Sequence, residues 1–353
     1  MNDSPRVLLI ACVRNEGAFL VDWIAHHRAI GFTDILMYSN DCQDGSDLIL
    51  DRLAAMGVLE HRRNPGPYQG GVQFTAMKLA AKEPVYKAAD WVMPLDLDEY
   101  LNIHVGARRV ADLIAAVPDV SAISVTWRMF GNAGVVEYSD APVIQQFQRA
   151  APEVMLWPWK AFLFKTLYRR ADFARPGIHR PQRKTAQPLS GSWIDGEARV
   201  MPPAFTDTQR PFAYFGQPQY RLAQVNHYAL QSVESFVLKA DRGRAVHAGD
   251  QLGLDYWVER NWNQIEDRSI TDDAIPRDQL KGEWGSDPAL RTLTQTASAW
   301  RRDKFTELMR DGTNRELYGR LLMAGASEIV PKNQAMLIHS SEYKARGVNH
   351  SRK

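Results

Sequence analysis

At 353 residues the chain is long enough for a large domain with an appendage, and 45% hydrophobic with 24% charged residues excludes global disorder. A net charge of +2 provides no concentrated basic surface for nucleic acid. Two cysteines, Cys12 and Cys42, exclude a disulfide framework and fit a reducing cytoplasm.

The chain begins with a polar stretch, and Val7 to Val13 is then a continuous aliphatic run, the pattern of a strand covered on both faces. It is too short for a secretory signal or a membrane span, so a cytoplasmic protein is expected. From Glu16 to Ile30 the period changes: Phe19, Leu20, Trp23, Ile24, His27 and Ile30 line one helical face, and Gly31 suits the C-terminal cap. Asp34 to Tyr38 reads as a second strand, Asp47 to Met56 as a helix stopped by Gly57, and Val58 to His61 as a third strand. Val72 to Ala81 then reads as a helix and Trp91 to Leu97 as another buried strand. This alternation predicts an α/β fold with a mainly parallel sheet and helices on both faces.

Arg109 to Val117 reads as a helix, Ala122 to Trp127 and Ala161 to Tyr168 as strands, and Arg175 to Gln217 as a long irregular loop. From Val233 the pattern is helical, including Pro288 to Met309 and Arg315 to Met323. The expected division is a catalytic domain over 1–235, a C-terminal helical extension over 236–340, and a frayed basic tail over 341–353. Trp157-Pro158-Trp159 with Lys160 leaves contact with the inner face of a membrane open, although a packed tryptophan pair is the simpler reading.

Sites in such sheets lie at the carboxyl ends of the strands. There the sequence places Arg14, Asn15 and Glu16 after the first strand, Asn40 to Asp44 after the second, and Asp96-Leu97-Asp98-Glu99 after the fourth. On an extended strand Asp96 and Asp98 share a face, and two carboxylates there invite a cation such as Mg²⁺ or Mn²⁺, completed by substrate phosphates. Solvated acids at a strand end are the bland alternative.

Val13-Arg14-Asn15-Glu16, the helix with Trp23 and His26-His27, Gly31-Phe32, Asn40 to Ser46 and Asp96 to Tyr100 together resemble bacterial family 2 glycosyltransferases and the related family 92, over about residues 6 to 245. The resemblance implies a GT-A fold, a nucleotide-diphosphate sugar donor and a divalent cation. By it, Arg14, Asn15, Glu16, Asn40, Asp41 and Asp44 hold the nucleoside. Asp96 lies near the ribose or a metal-bound water, Asp98 is the direct metal ligand, and Val225-Asn226-His227-Tyr228 supplies His227 as a further ligand. Ser39 stands where many relatives carry an acid, which leaves the choice of base open. The Lys-x-x-Arg-Gly stretch brings Lys239 and Arg242, three apart on one helix face, toward the diphosphate. Trp127, in Trp127-Arg128-Met129-Phe130-Gly131, and His179, in the basic loop with Arg180, Arg183 and Lys184, are candidates for an acceptor, a carbohydrate or a lipid-linked sugar.

An inverting transfer requires a base near the acceptor hydroxyl. Asp195, Asp255 and Asp267 are the candidates; Asp255, in Leu254-Asp255-Tyr256-Trp257, is preferred because its aromatic neighbours would raise its pKa. The alternatives are a metal-dependent nucleotidyltransferase and a non-catalytic nucleotide-sugar or carbohydrate binder. The first wants a Gly-rich basic loop after the first strand, where this chain has Arg14-Asn15-Glu16-Gly17. The second would tolerate loss of one carboxylate of the pair, and both are present. An oxidoreductase is disfavoured because no Gly-x-Gly-x-x-Gly follows that strand.

Overall fold

The computed structural model describes residues 5–68, 70–184, 187–207, 210–243, 252–271 and 275–345. The first half alternates as the periodicity requires: β1 (Val7–Val13), α1 (Gly17–Ala29), β2 (Asp34–Ser39), α2 (Ser46–Ala55), β3 (Glu60–Arg63), α3 (Val72–Ala80), β4 (Trp91–Pro94), β5 (Glu99–Ile103) and α4 (Val110–Ala115). The later sheet strands are β6 (Val120–Met129), β7 (Phe164–Arg169), β8 (Ser192–Ile194) and β9 (Ala223–His227). They form one nine-stranded sheet in the order β3-β2-β1-β4-β7-β6-β9-β5, with β8 paired to β6. β1, β2, β3 and β4 are mutually parallel, while β7 runs against both β4 and β6. β6, β8 and β9 thus point the same way as β1, and the α/β class with a mainly parallel sheet stands.

Burial on both faces explains the unbroken apolar reading of β1. Val7, Leu9, Ala11 and Val13 enter one core layer, and Leu8 and Ile10 enter the other. Helix α1 crosses the first layer and is fastened to β5 by side chains that look polar in the sequence. Trp23 Nε1 donates to Glu99 O at 2.7 Å, and His26 Nε2 donates to Leu101 O at 2.8 Å. His27 Nδ1 donates to Trp23 O at 2.8 Å, and its Nε2 accepts from Leu101 N. Burial pushes His26 down to about 3 and His27 well below the ordinary imidazole value, so both are neutral fasteners.

Three expectations shift. The third strand lies at Glu60–Arg63 and not at 58–61, because Val58 and Leu59 enter the first core layer before the ladder starts. The long loop contains β8 and a short helix, Pro203–Asp207, with Trp193 and Phe205 in edge contact at 5.4 Å. The fourth strand ends at Pro94, not at Leu97, and the chain turns: Glu99 N donates to Asp96 O at 3.0 Å, and Asp96 N donates to Glu99 Oε2 at 2.9 Å.

The C-terminal helices are α5 (Val233–Arg242), α6 (Leu254–Val258), α7 (Arg277–Gly285), α8 (Pro288–Leu308), α9 (Gly312–Ala324) and α10 (Lys332–Ala345). Helix α8 lies across α1 and α2: Leu290 and Ala297 join the first core layer, while Leu308 joins a separate cluster with Phe236, Trp257 and Leu321. A Cβ built on Gly17 would stand 2.8 Å from Ala297 Cβ, so glycine permits this close approach. Arg52 pairs with Asp287 at the start of α8. The boundary expected at 235/236 falls inside α5. Trp157 and Trp159 gather around His339 of α10, at 6.2 and 4.3 Å between ring centres, which matches the packed reading of that pair. Of the expected tail, 341–345 is helical and 346–353 lies outside the described residues. No described helix is long and apolar enough to cross a membrane.

Candidate active site

The carboxyl ends of β1, β2, β4, β6 and β9 open onto one cleft of about 780 Å³. It collects most of the residues singled out in the sequence: Arg14, Glu16, Asn40, Asp41, Asp96, Asp98, Trp127, His179, His227, Lys239 and Arg242.

At one end, Asn40 and Asp41 follow β2, and Asp41 Oδ2 accepts from the Tyr68 hydroxyl at 3.0 Å. Asp41 and Asn15 hold positive φ angles of 48° and 53°, which a short polar side chain tolerates. Asn15 Oδ1 accepts from Gln43 N at 2.7 Å and faces a small side pocket that also touches Glu16, Asp98 and Arg242. Ser39 is turned away, bonded to His61 Nε2 at 2.8 Å.

Asp44 does not belong with these. Buried, it accepts from Gly17 N at 2.7 Å, Ser46 N at 2.9 Å and Ser46 Oγ at 2.6 Å, so its carboxylate is spent capping the first turns of α1 and α2. The donor-binding role expected for it is corrected on that ground.

The turn at 96–99 separates the two carboxylates that a strand would have kept on one face. Asp96 Oδ1 accepts from Gln73 at 2.6 Å and Oδ2 from Lys165 at 2.8 Å. Asp98 Oδ2 meets Lys239 Nζ at 2.6 Å and stands 3.7 Å from His227 Nε2. Burial favours the neutral acid at Asp98, but Lys239 and His227 outweigh it and hold the carboxyl well below its ordinary range. Burial also lowers His227, so the pair is a carboxylate facing a neutral imidazole. Beneath them Glu99 is fully buried; burial, with Asp96 and Asp98 nearby, raises it to about 8 against the opposing pull of Lys165 at 3.2 Å.

An ionised carboxylate and a neutral imidazole are the forms a divalent cation needs as ligands. His227 Nδ1 is buried with no partner among the described residues, and Asp98 Oδ2 already accepts one cation, the Lys239 ammonium. Among the described residues no three His, Cys, Asp or Glu side chains form a finished metal cage. A site built from one or two side chains and completed by substrate phosphates has that form, so Asp98 and His227 fit the ion.

Helix α5 brings both basic residues expected of it. Arg242 pairs with Glu16 and donates to Arg14 O at 2.7 Å, pinning the loop after β1. Trp127 stands between two imidazoles, 4.1 Å from His227 and 5.5 Å from His179 between ring centres. His179 Nδ1 donates to Phe164 O at 2.9 Å, which leaves Nε2 as the lone-pair nitrogen. Burial, then Lys165, pushes this imidazole down to about 4. Its neighbour Arg180 is structural: it lies over Trp193 and Phe205 and donates to Phe205 O at 2.7 Å.

None of the three carboxylates weighed as base lines the cleft. Asp195 is fully buried against Arg199, Asp267 is held by Ser269 and Gln224, and Asp255 is exposed on α6. Tyr256 on the helix and Arg260 just beyond its end line the cleft, while Asp255 is exposed and stands outside it, against the preference for Asp255 as base.

Lys160, Lys165, Tyr68, Gln73, Tyr256 and Arg260 are the residues that sequence reasoning missed. Only Lys165 left a signal, a charge followed by Thr166 inside the mostly apolar stretch Ala161 to Tyr168.

The profile of glycosyltransferase family 92 matches residues 9–188. No curated protein matches the chain. Among solved structures, S. aureus TarS 1–349 in complex with UDP is 15% identical, with 47% of each chain covered and a TM-score of 0.30. A CMP:2-keto-3-deoxy-manno-octonic acid synthetase with CTP is 14% identical over 47% of this chain and 75% of that one, TM-score 0.26. The S. cerevisiae mannosyltransferase Ktr4p is 12% identical over 37% and 41%, TM-score 0.25. The chain thus spans about half the length of the TarS fragment, and likenesses this remote carry no argument about activity.

Proposed function

Because the chain belongs to glycosyltransferase family 92, we propose that it is a metal-dependent, inverting GT-A enzyme that moves a sugar from a nucleotide-diphosphate donor to a carbohydrate or lipid-linked acceptor. The observation that carries the reading is the convergence of Asp98, His227, Lys239 and Arg242 at the middle of one cleft, from the turn after β4, the end of β9 and helix α5. In this reading the helices after residue 235 belong to the same catalytic unit, since α5 supplies two of those four side chains.

Arg14, Asn40 and Asp41 receive the nucleoside at the β1–β2 end. Asp96, locked by Gln73 and Lys165, is oriented to accept a hydrogen bond from the ribose or a water. Asp98 and His227 would hold the divalent cation, which supplies Lewis-acid neutralisation of the departing diphosphate. Lys239 and Arg242 donate charge-assisted hydrogen bonds to the diphosphate oxygens, Lys239 exchanging Asp98 for phosphate as donor arrives. At the other end Trp127 offers a face for a sugar ring. His179 Nε2 takes the proton of the acceptor hydroxyl as its oxygen bonds to the anomeric carbon and the carbon–diphosphate bond breaks. Burial and Lys165 hold the imidazole near 4, neutral at physiological pH, and the negative charge of the incoming donor, acting with Asp96, raises its basicity for the transfer.

Thermal denaturation against nucleoside diphosphates and nucleotide sugars, each with and without Mn²⁺, tests this. A midpoint rise that needs both metal and one nucleotide, is lost in Asp98→Ala and accompanies release of free nucleoside diphosphate is expected. No shift with any pair would favour a non-catalytic binder, and release of pyrophosphate a nucleotidyltransferase.

A further inference from the structure

Beside Asp98 the cleft is also lined by Lys239, Tyr256, Arg260 and Lys160, the last two joined by Glu259. Lys239 Nζ is 5.5 Å from the Tyr256 ring centre, and the Arg260 guanidinium is 3.6 Å from it. Arg260 Nη1 donates to Glu259 Oε2 at 3.2 Å, and Lys160 Nζ donates to that same oxygen at 2.6 Å. Two cations therefore share one carboxylate. Both line the cleft, yet Arg260 is only 3% exposed and its Nε is buried with no partner among the described residues.

A guanidinium so buried is costly unless its charge and donors are met. Nearer the centre of the cleft the account closes, since Lys165 faces Asp96 and Glu99, Lys239 faces Asp98, and Arg242 faces Glu16. Among the described residues around Glu259 one positive charge remains over, on a planar fork and a flexible ammonium that together suit an oxyanion.

We propose that Arg260 and Lys160 form an oxyanion subsite, separate from the diphosphate position, that receives a phosphate or carboxylate group carried by the acceptor. The substrate class that follows is an anionic acceptor, with its sugar ring over Trp127 and its charge beyond Tyr256. This rests on the cleft being a glycosyl-transfer site, but the anion subsite is testable by itself.

The full chain, saturated with nucleoside diphosphate and Mg²⁺, is titrated with inorganic phosphate at constant ionic strength by calorimetry, with acetate in a parallel arm. Phosphate or acetate is expected to bind on top of the nucleotide, and which of the two binds tells phosphate from carboxylate. Lys160→Gln, at a side chain 40% exposed, should weaken that binding about tenfold. Glu259→Gln should strengthen it by releasing both cations, and neither change should alter nucleotide affinity. Arg260→Lys keeps the charge but loses the fork, and should weaken it as well. Competition between anion and nucleotide would overturn the proposal by assigning the two cations to the diphosphate. So would failure of both anions to bind, or identical affinities in Lys160→Gln, Glu259→Gln and the unaltered protein. Should the nucleotide itself not bind, the glycosyltransferase reading fails, while the anion arm is still read on the unloaded protein.

Discussion

Replacing Glu99 by Gln should make the protein more stable at neutral pH, against the ordinary result of removing a charge that faces a lysine. The carboxyl is wholly buried and raised to about 8 from an ordinary 4.5, chiefly by burial and with Asp96 and Asp98 adding to it. The folded state therefore carries a proton there that the unfolded chain has lost above about 4.5, and the stability deficit grows as pH rises toward 8. Three units separate 4.5 from pH 7.5, so at about 1.4 kcal/mol per unit the deficit reaches at most about 4 kcal/mol. Glutamine is isosteric with the protonated acid, its amide oxygen can accept the Asp96 N–H, and Lys165 keeps Asp96 as counter-charge at 2.8 Å. The expected gain is on the order of 2–4 kcal/mol at pH 7.5 and under about 1 kcal/mol at pH 5. Urea unfolding of both proteins at the two pH values measures it. A Glu99→Gln protein less stable than its parent at pH 7.5 would show that Glu99 is ionised and that its pair with Lys165 holds the turn together.

Other outcomes follow from the same geometry. Stability should fall as pH drops from about 6.5 toward 4, because buried His26, His27 and His179 stay neutral in the fold while the unfolded chain takes up protons. Each adds a slope of about 1.4 kcal/mol per unit there, outweighing the opposite slope of Glu99; a flat denaturation profile would contradict it. Gly17→Ala should cost about 1–3 kcal/mol, since the new methyl meets Ala297 Cβ at 2.8 Å and Ile49 Cδ1 at 3.2 Å; an unchanged urea midpoint would mean that α8 is not docked against α1. Lys239→Met should bind Mn²⁺ alone more tightly, with no ammonium on Asp98, while turning over donor more slowly; calorimetry showing weaker metal binding would count against Asp98 as ligand. His179→Gln should lower kcat by about a hundredfold or more with KM for donor little changed, and equal kcat would leave the base to be sought elsewhere.

Much of this was readable from the chain alone. Periodicity located β1, α1, β2, α2 and α8 to within a residue or so, because the face a residue presents follows from its spacing along a regular backbone. The order of strands and helices put Arg14, Asn40 and Asp98 on one edge, the family resemblance added His227, and three-residue spacing put Lys239 beside Arg242. The use each side chain finds was decided only in three dimensions. Asp41 and Asp44 sit in the same polar turn, yet one lines the cleft and the other caps two helices. Asp96 and Asp98 part company because β4 stops at Pro94 and the chain reverses at Glu99. Lys239 reaches Asp98 across 141 positions and Lys165 reaches Asp96 across 69, and Arg260 and Lys160 meet on a single oxygen of Glu259. The local pattern of the chain records which residues will be buried, but a buried charge takes its meaning from its partner, and partners so distant are brought together only by the order of strands in the sheet and the docking of the C-terminal helices.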